Sequence, residues 1–219
     1  MSRANMGVSK PVRKRALAPH LSVSYDANMS QIVDSLDTRL GARLRLEREA
    51  RGWSLSDLAT RSGVSRAMIN KVERGESSPT AALLGRLSGA FGLTLSALLA
   101  RTEGPVAGRL MRAADQSRWQ DPATGYVRTQ IAPAPGSDLP AELTRVVLPA
   151  GASVTFPAAS YGFTRHVLWL LEGRLTFIEG DVAHEMEADD SLEFGPPADC
   201  TYRNESHAPC TYAVLVLKQ

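Results

Sequence analysis

The sequence has little cysteine and no long apolar run. Cys200 and Cys210 are its two cysteines. That is too few for a disulfide-dense secreted scaffold, so the expectation is a reducing, cytoplasmic setting with both thiols free and partly buried. No apolar stretch approaches the ~18 residues of a membrane span, which excludes an integral membrane protein. Arg3, Lys10, Arg13, Lys14 and Arg15 crowd the start of the chain. No apolar stretch follows them, so no secretory leader is expected.

What remains is 219 residues, 43% hydrophobic and 22% charged, enough for one large domain or two modest ones with working cores. The net charge of +2 conceals an uneven distribution. Residues 1–36 carry +3, residues 37–100 carry +4, and residues 101–219 carry −5. A basic front and an acidic back suggest a polyanion-binding module joined to a part that binds no polyanion.

Residues 1–34 mix Ser, Asn, Pro and basic residues without a sustained period and read as a disordered basic tail. Residues 35–100 read as five helices. Leu36, Leu40, Leu44 and Leu46 give the first its apolar stripe, with Arg39, Arg43, Arg45 and Arg48 on other faces. Gly52 stops it. Ser54 is an N-cap for a second helix carrying Leu55, Leu58 and Ala59. Gly63 breaks that helix, and Ser65 caps a short third one with Met68, Ile69 and Val72 as its apolar contacts. Gly75 ends it. Ser78-Pro79 opens a fourth, with Pro79 in its first turn, followed by Leu83, Leu84, Leu87 and Phe91. Thr94 or Ser96 starts a fifth. Residues 101–108 (RTEGPVAG) read as a linker.

From residue 109 to 219 the period changes. Val127–Ile131, Leu143–Leu148, Thr164–Leu171, Leu175–Ile178, Ser191–Phe194, Thr201–Arg203 and Thr211–Leu217 are short β-prone runs separated by Gly, Pro, Asn or Asp. That spacing indicates an all-β sandwich or small barrel.

Trp53 to Glu76 has the layout of a helix-turn-helix: two short helices joined at Gly63-Val64, the second opening at Ser65. Such a second helix must be polar where it enters a major groove and apolar where it leans on its scaffold. Arg66, Asn70 and Lys71 lie on the expected exposed side, and Ser54 and Ser65 place helix N-termini where phosphates could sit. The stretch LRLEREARGWSLSDLATRSGVSRAMINKVERGESSPTAALLGRLSGAFGLTLSALL resembles the five-helix DNA-binding domain of the lambda-repressor/Cro (XRE) type. The resemblance implies base reading by Arg66, Ala67 and Lys71, backbone contacts by Ser54 and Arg74, and a structural pair between Arg48 and Glu73.

FTRHVLWLLEGRLTFIEG and EADDSLEFGPPADCTYRNES resemble the two signature stretches of the cupin superfamily, whose double-stranded β-helix barrel encloses a pocket. DPATGYVRTQI is similar to the segment that precedes the barrel in regulators joining these two domains. Metal-binding cupins place two histidines and a glutamate in the first stretch and one histidine in the second. The resemblance puts His166 at the glutamate position and Cys200 at the second-stretch histidine, with Tyr161 or Gly162 near the missing pair. A catalytic metal needs about three protein ligands, so neither a metal nor another cofactor is expected. His166, Leu168, Cys200 and Tyr202 are the candidate lining of an organic-ligand pocket.

The chain therefore reads as a non-enzymatic transcriptional regulator, a repressor, acting as a homodimer on a double-stranded DNA operator and responding to a small organic effector. Two alternatives stand beside it. One is a cupin-type metal-dependent enzyme with an accessory DNA-binding domain. The other is an interaction or antitoxin module.

Overall fold

The computed structural model describes residues 25–100, 110–133, 137 and 139–218. Most of the expected basic tail and the expected linker at 101–108 lie outside the described residues.

Five helices come first: α1 (Tyr25–Ala50), α2 (Leu55–Ser62), α3 (Arg66–Glu73), α4 (Ala81–Ala90) and α5 (Leu95–Ala100). α1 begins at Tyr25 rather than near residue 35. Met29, Ile32, Leu36 and Leu40 keep helical spacing, so an apolar period runs back through a stretch whose polar composition hides it. Leu40 and Leu44 are buried, but Leu46 is 58% exposed and does not belong to the stripe. Two residues on from Leu44 it sits about 200° around the helix. Glu47 takes the inward place instead, paired with Arg43 and, at 2.6 Å, with Arg51.

The short helices are defined by their caps. Ser54 Oγ accepts from the Asp57 amide at 3.1 Å, and Asp57 Oδ2 accepts from the Ser54 amide at 2.8 Å, a capping box that starts α2. Gly63 turns the chain in the left-handed conformation (φ 66°). Ser65 Oγ then accepts from the Met68 amide and starts α3. α4 is capped by Thr80, whose Oγ1 accepts from the Leu83 amide. Pro79 thus lies ahead of the helix and not in its first turn, because Thr80 carries the hydroxyl that can satisfy a free amide. Thr94 Oγ1 accepts from the Ala97 amide at 2.9 Å and starts α5.

Ten strands follow: β1 (Arg118–Gln120), β2 (Val127–Ala132), β3 (Ala141–Leu148), β4 (Ser153–Phe156), β5 (Thr164–Glu172), β6 (Arg174–Glu179), β7 (Val182–Glu187), β8 (Ser191–Glu193), β9 (Cys200–Arg203) and β10 (Cys210–Lys218). They form a six-stranded sheet, β1-β2-β3-β10-β5-β8, and a four-stranded sheet, β4-β9-β6-β7. Every pairing within them is antiparallel. Six of the seven expected runs lie within strands and the seventh overruns β8 by one residue, Phe194; β1, β4 and β7 match none of them. β1 and β4 are too short to show a period, and β7 is largely exposed, with Val182 open to solvent. Period-two alternation turns Thr144, Val146 and Leu148 of β3 inward with Tyr212, Val214 and Val216 of β10.

Helices and sheets meet along α4. A Cβ on Gly85 would come within 2.7 Å of the Phe156 ring, and one on Gly89 within 2.5 Å of the Ala159 carbonyl oxygen. Only glycine permits that approach. Asp121, 2% exposed, accepts from the Ala81 amide at 3.0 Å, so a carboxylate next to the sheets caps α4. Thr94 donates to buried Glu142 at 2.7 Å, and the Ser96 and Thr144 hydroxyls lie 3.1 Å apart.

Arg48 ties α1 to α3. Its Nε donates to Glu73 Oε1 at 2.7 Å, its Nη2 to Oε2 at 2.8 Å, and its Nη1 to the Trp53 carbonyl at 2.9 Å. The side chains are 11% and 5% exposed. The hydrogen bonds that Arg48 donates to Glu73, with that carboxylate's charge, raise the Arg48 pKa above its ordinary value. Removing Arg48 strands the buried Glu73 carboxylate, whereas removing Glu73 leaves Arg48 its longer 3.5 Å contact with Glu49. Arg48→Ala is therefore expected to lower unfolding stability by about 3–5 kcal/mol, and Glu73→Ala by less. Urea denaturation of a double-mutant cycle with Arg48→Ala should show strong coupling; independent, additive losses would contradict it.

Candidate functional site

Two places in the molecule gather functional chemistry. The first is the outer surface of α3. Arg66, Ala67, Lys71 and Arg74 are exposed there, while Ile69 and Val72 are buried against the bundle. Met68, expected among the apolar contacts, is 36% exposed instead. It sits about 100° around the helix from Ile69 and joins the outward face. Asn70, expected on the exposed side, is half-buried. It lies with Ser54, Ser56, Arg66 and Ala67 along an open groove between the starts of α2 and α3. Ser54 and Ser65 are exposed at those two starts. Asp57 is engaged by the Ser54 hydroxyl and amide, which hold its carboxyl below the ordinary range. Glu73 turns inward to Arg48, so it adds little negative field to this face. Arg74 pairs with Glu76 at 2.5 Å.

The second place is a cavity of about 60 Å³ where α4 and α5 meet the two sheets. Ser88 and Leu95 line it from the helices, and Arg128, His166, Tyr202 and Tyr212 from the strands. Of the expected pocket residues, His166 and Tyr202 are on this wall. Leu168 and Cys200 are not. Both are fully buried. Leu168 lies opposite Val214 in the sheet core. Cys200 Sγ accepts at 2.8 Å from the hydroxyl of Tyr161, which does line the cavity, so Cys200 stands directly behind the wall.

The residues at the cupin ligand positions do not fit a metal. His166 Nε2 is 2.7 Å from Thr164 Oγ1, and its ring packs between Tyr161 and Phe194. Burial pushes the Cys200 thiol up to about 11, whereas a thiol ligand must shed its proton. Among the described residues, no three His, Cys, Asp or Glu side chains gather as a ligand set. Cys200 and Cys210 are both free and buried.

Sequence reasoning missed Arg128, Ser160, Tyr212 and the helix–sheet contacts at Asp121, Thr94 and Ser96. Arg128 stands in the DPATGYVRTQI segment already singled out. An arginine amid β-prone neighbours was its only signal. Thr94 and Ser96 look like ordinary cap residues, because their partners lie 32 to 48 positions away in the chain.

The helix-turn-helix family model (HTH_3) matches residues 44–98. The HTH-type transcriptional regulator SutR of Escherichia coli (strain K12) is 40% identical over 67 residues, which cover 31% of this chain and 38% of SutR. The chain thus aligns with well under half of that relative's length. Among solved structures, an HTH_3 family transcriptional regulator from Vibrio cholerae superposes with a TM-score of 0.70 at 21% identity, covering 85% of this chain and 98% of that one. A Cupin_2 domain of an XRE family transcriptional regulator from Enterobacter cloacae superposes with a TM-score of 0.39 at 18% identity, covering 43% of this chain and 97% of that one. Residues 44–98 are thus a helix-turn-helix domain, followed here by a β-rich domain, and together they share the fold of the Vibrio cholerae regulator.

Proposed function

We propose that the chain is a one-component transcriptional repressor: α3 reads an operator in the major groove, and the β-domain senses a small molecule. The observation that carries this reading is the division of α3. Arg66, Ala67 and Lys71 face out, Ile69 and Val72 face in, and Arg48–Glu73 braces the helix from behind. Arg66 can pair bidentately with guanine, and Ala67 can offer its methyl to thymine. Ser54, Ser65 and Arg74 are assigned to phosphates and Asn70 to the groove edge. Supporting the cupin assignment, β3-β10-β5-β8 faces β4-β9-β6-β7, and from β3 onward the chain shuttles between these sheets as an eight-stranded double-stranded β-helix does. No catalytic role belongs to this reading, since His166 and Cys200 are committed to Thr164 and Tyr161.

The reading includes a homodimer. One helical domain offers too few base contacts to find a site in a genome, so two-fold pairing is physically expected. The outward face of the six-stranded sheet supports a place for it. Trp169, 48% exposed, stands there beside Leu143, Val167, Ala213 and Leu215.

Selection from a random-sequence duplex pool, followed by anisotropy titration, tests the DNA reading. Arg66→Ala should relax the preference at one base pair per half-site, at about 1–3 kcal/mol. Arg74→Ala should weaken all sequences alike and flatten the salt slope by about one unit. An Arg66→Ala protein with unchanged preference would remove α3 from the groove.

Sedimentation equilibrium tests the dimer. Trp169→Glu should convert a two-chain species to monomer and weaken operator binding, with the fold intact by circular dichroism. An unchanged two-chain mass places the contact elsewhere.

A further inference from the structure

The cavity between helices and sheets has an unusual polar wall. Arg128 is the one formally charged side chain among the described residues that line it. His166, the other basic group there, is neutral: burial, and then the nearby Arg128 charge, push its pKa down to about 4. Among the described residues, the Arg128 hydrogen bonds all go to uncharged hydroxyls. These are Thr144 Oγ1 at 3.0 Å, Tyr126 Oη at 3.4 Å and Ser96 Oγ on α5. Five buried side-chain polar atoms lack a partner among the described residues, and three of them belong to residues on this wall: Arg128 Nε, Ser160 Oγ and Tyr212 Oη. Buried polar groups are ordinarily satisfied, and a buried charge ordinarily has a counter-charge. Three donors without an acceptor, one of them cationic, complement an anionic oxygen ligand. The rest of the wall is apolar, with Leu95, Phe156, Val214 and Val216. At about 60 Å³ the space corresponds to roughly two waters or a short-chain molecule.

We propose that this cavity binds a small carboxylate, held by Arg128, Ser160 and Tyr212 with its short apolar end against Phe156 and Val216, and that the helical domain feels it through the Arg128–Ser96 contact. The proposal rests on the sensor reading above and names its ligand class. Planar guanidinium and carboxylate match in shape as well as charge. Arg128 then stands at a junction. Its Nε faces the ligand while its Nη2 donates to Ser96 at the start of α5. A ligand that draws the guanidinium changes its hold on Ser96, so the ligand binds the two domain arrangements unequally and shifts DNA affinity.

The test uses the full-length chain at constant ionic strength, with sodium acetate, propionate and lactate as probes. Propionamide, ethylammonium chloride and sodium phosphate are the controls. The carboxylates should raise the melting temperature saturably, by mass action on the folded state, and the controls should not. Arg128→Gln should abolish the shift. Tyr212→Phe and Ser160→Ala, which keep shape and fold, should each weaken binding about tenfold. Ser96→Ala should still bind carboxylate, but the carboxylate should no longer change affinity for the selected DNA site. Stabilisation by propionamide or ethylammonium alone overturns the ligand class and leaves the sensor reading standing. Equal binding of phosphate overturns the carboxylate assignment in favour of any small oxyanion. Carboxylate binding unaffected by the Tyr212 and Ser160 variants puts the site elsewhere. A Ser96→Ala protein whose DNA affinity still responds overturns the relay. No response to any probe overturns the carboxylate site and its relay, and leaves the sensor reading to ligands of another class.

Discussion

The close approach of α4 to the β-domain is the constraint on which the rest of the molecule depends. At Gly85 and Gly89 the helix meets a phenyl ring and a backbone carbonyl at distances no larger residue allows. Its first turn is completed by Asp121, which also accepts from the Thr124 amide and hydroxyl and is thereby fixed in place. α4 is at once a structural helix of the DNA-binding bundle and a wall of the sheet domain. The two domains share buried surface and hydrogen bonds, unlike modules that merely share a chain.

That sharing would give the proposed sensor a mechanical basis. α3 is not free to reorient by itself, because Arg48–Glu73 clamps it to α1 and Ile69 and Val72 root it in the core. Anything that moves α4 or α5 must act on the bundle as a body, and in a dimer a rotation of that body changes the separation of two recognition helices. DNA tolerates little error in half-site spacing. A sub-ångström change at Ser96 or Ser88 therefore has somewhere to be amplified, since packed interfaces switch rather than deform.

How much was legible in the sequence depended on the range of the interaction. Ser54, Gly63 and Ser65 announce the helix-turn-helix because caps and turns are decided within four residues. The Arg48 and Glu73 positions were legible only through a family resemblance, since nothing local links residues 25 apart. Local rules also misled. Pro79 looked like a first-turn residue until Thr80 supplied a better cap, and Leu46 looked apolar enough to be core but falls on the wrong side of α1. In the β-domain, strands with strong period-two patterning were readable and short or exposed ones were not. The cavity was half readable. His166 and Tyr202 are legible through the cupin resemblance alone. Leu168 and Cys200 do not reach it. Arg128, Ser160 and Tyr212 acquire meaning only when strands and helices from distant parts of the chain converge on one space.

The measurement that bears most directly on this account is equilibrium unfolding in urea with one fluorescent probe in each domain. Trp53 stacks on Phe91 in the helical bundle, and Trp119 packs edge-on against Tyr126 beside the sheets. Variants retaining one of these two tryptophans, with the others changed to Phe, report the domains separately. If α4 makes a single cooperative unit, the two transitions coincide in midpoint and slope. Two separated transitions, with the Trp119 signal intact after the Trp53 signal is lost, would show that the domains are independent and would contradict the account.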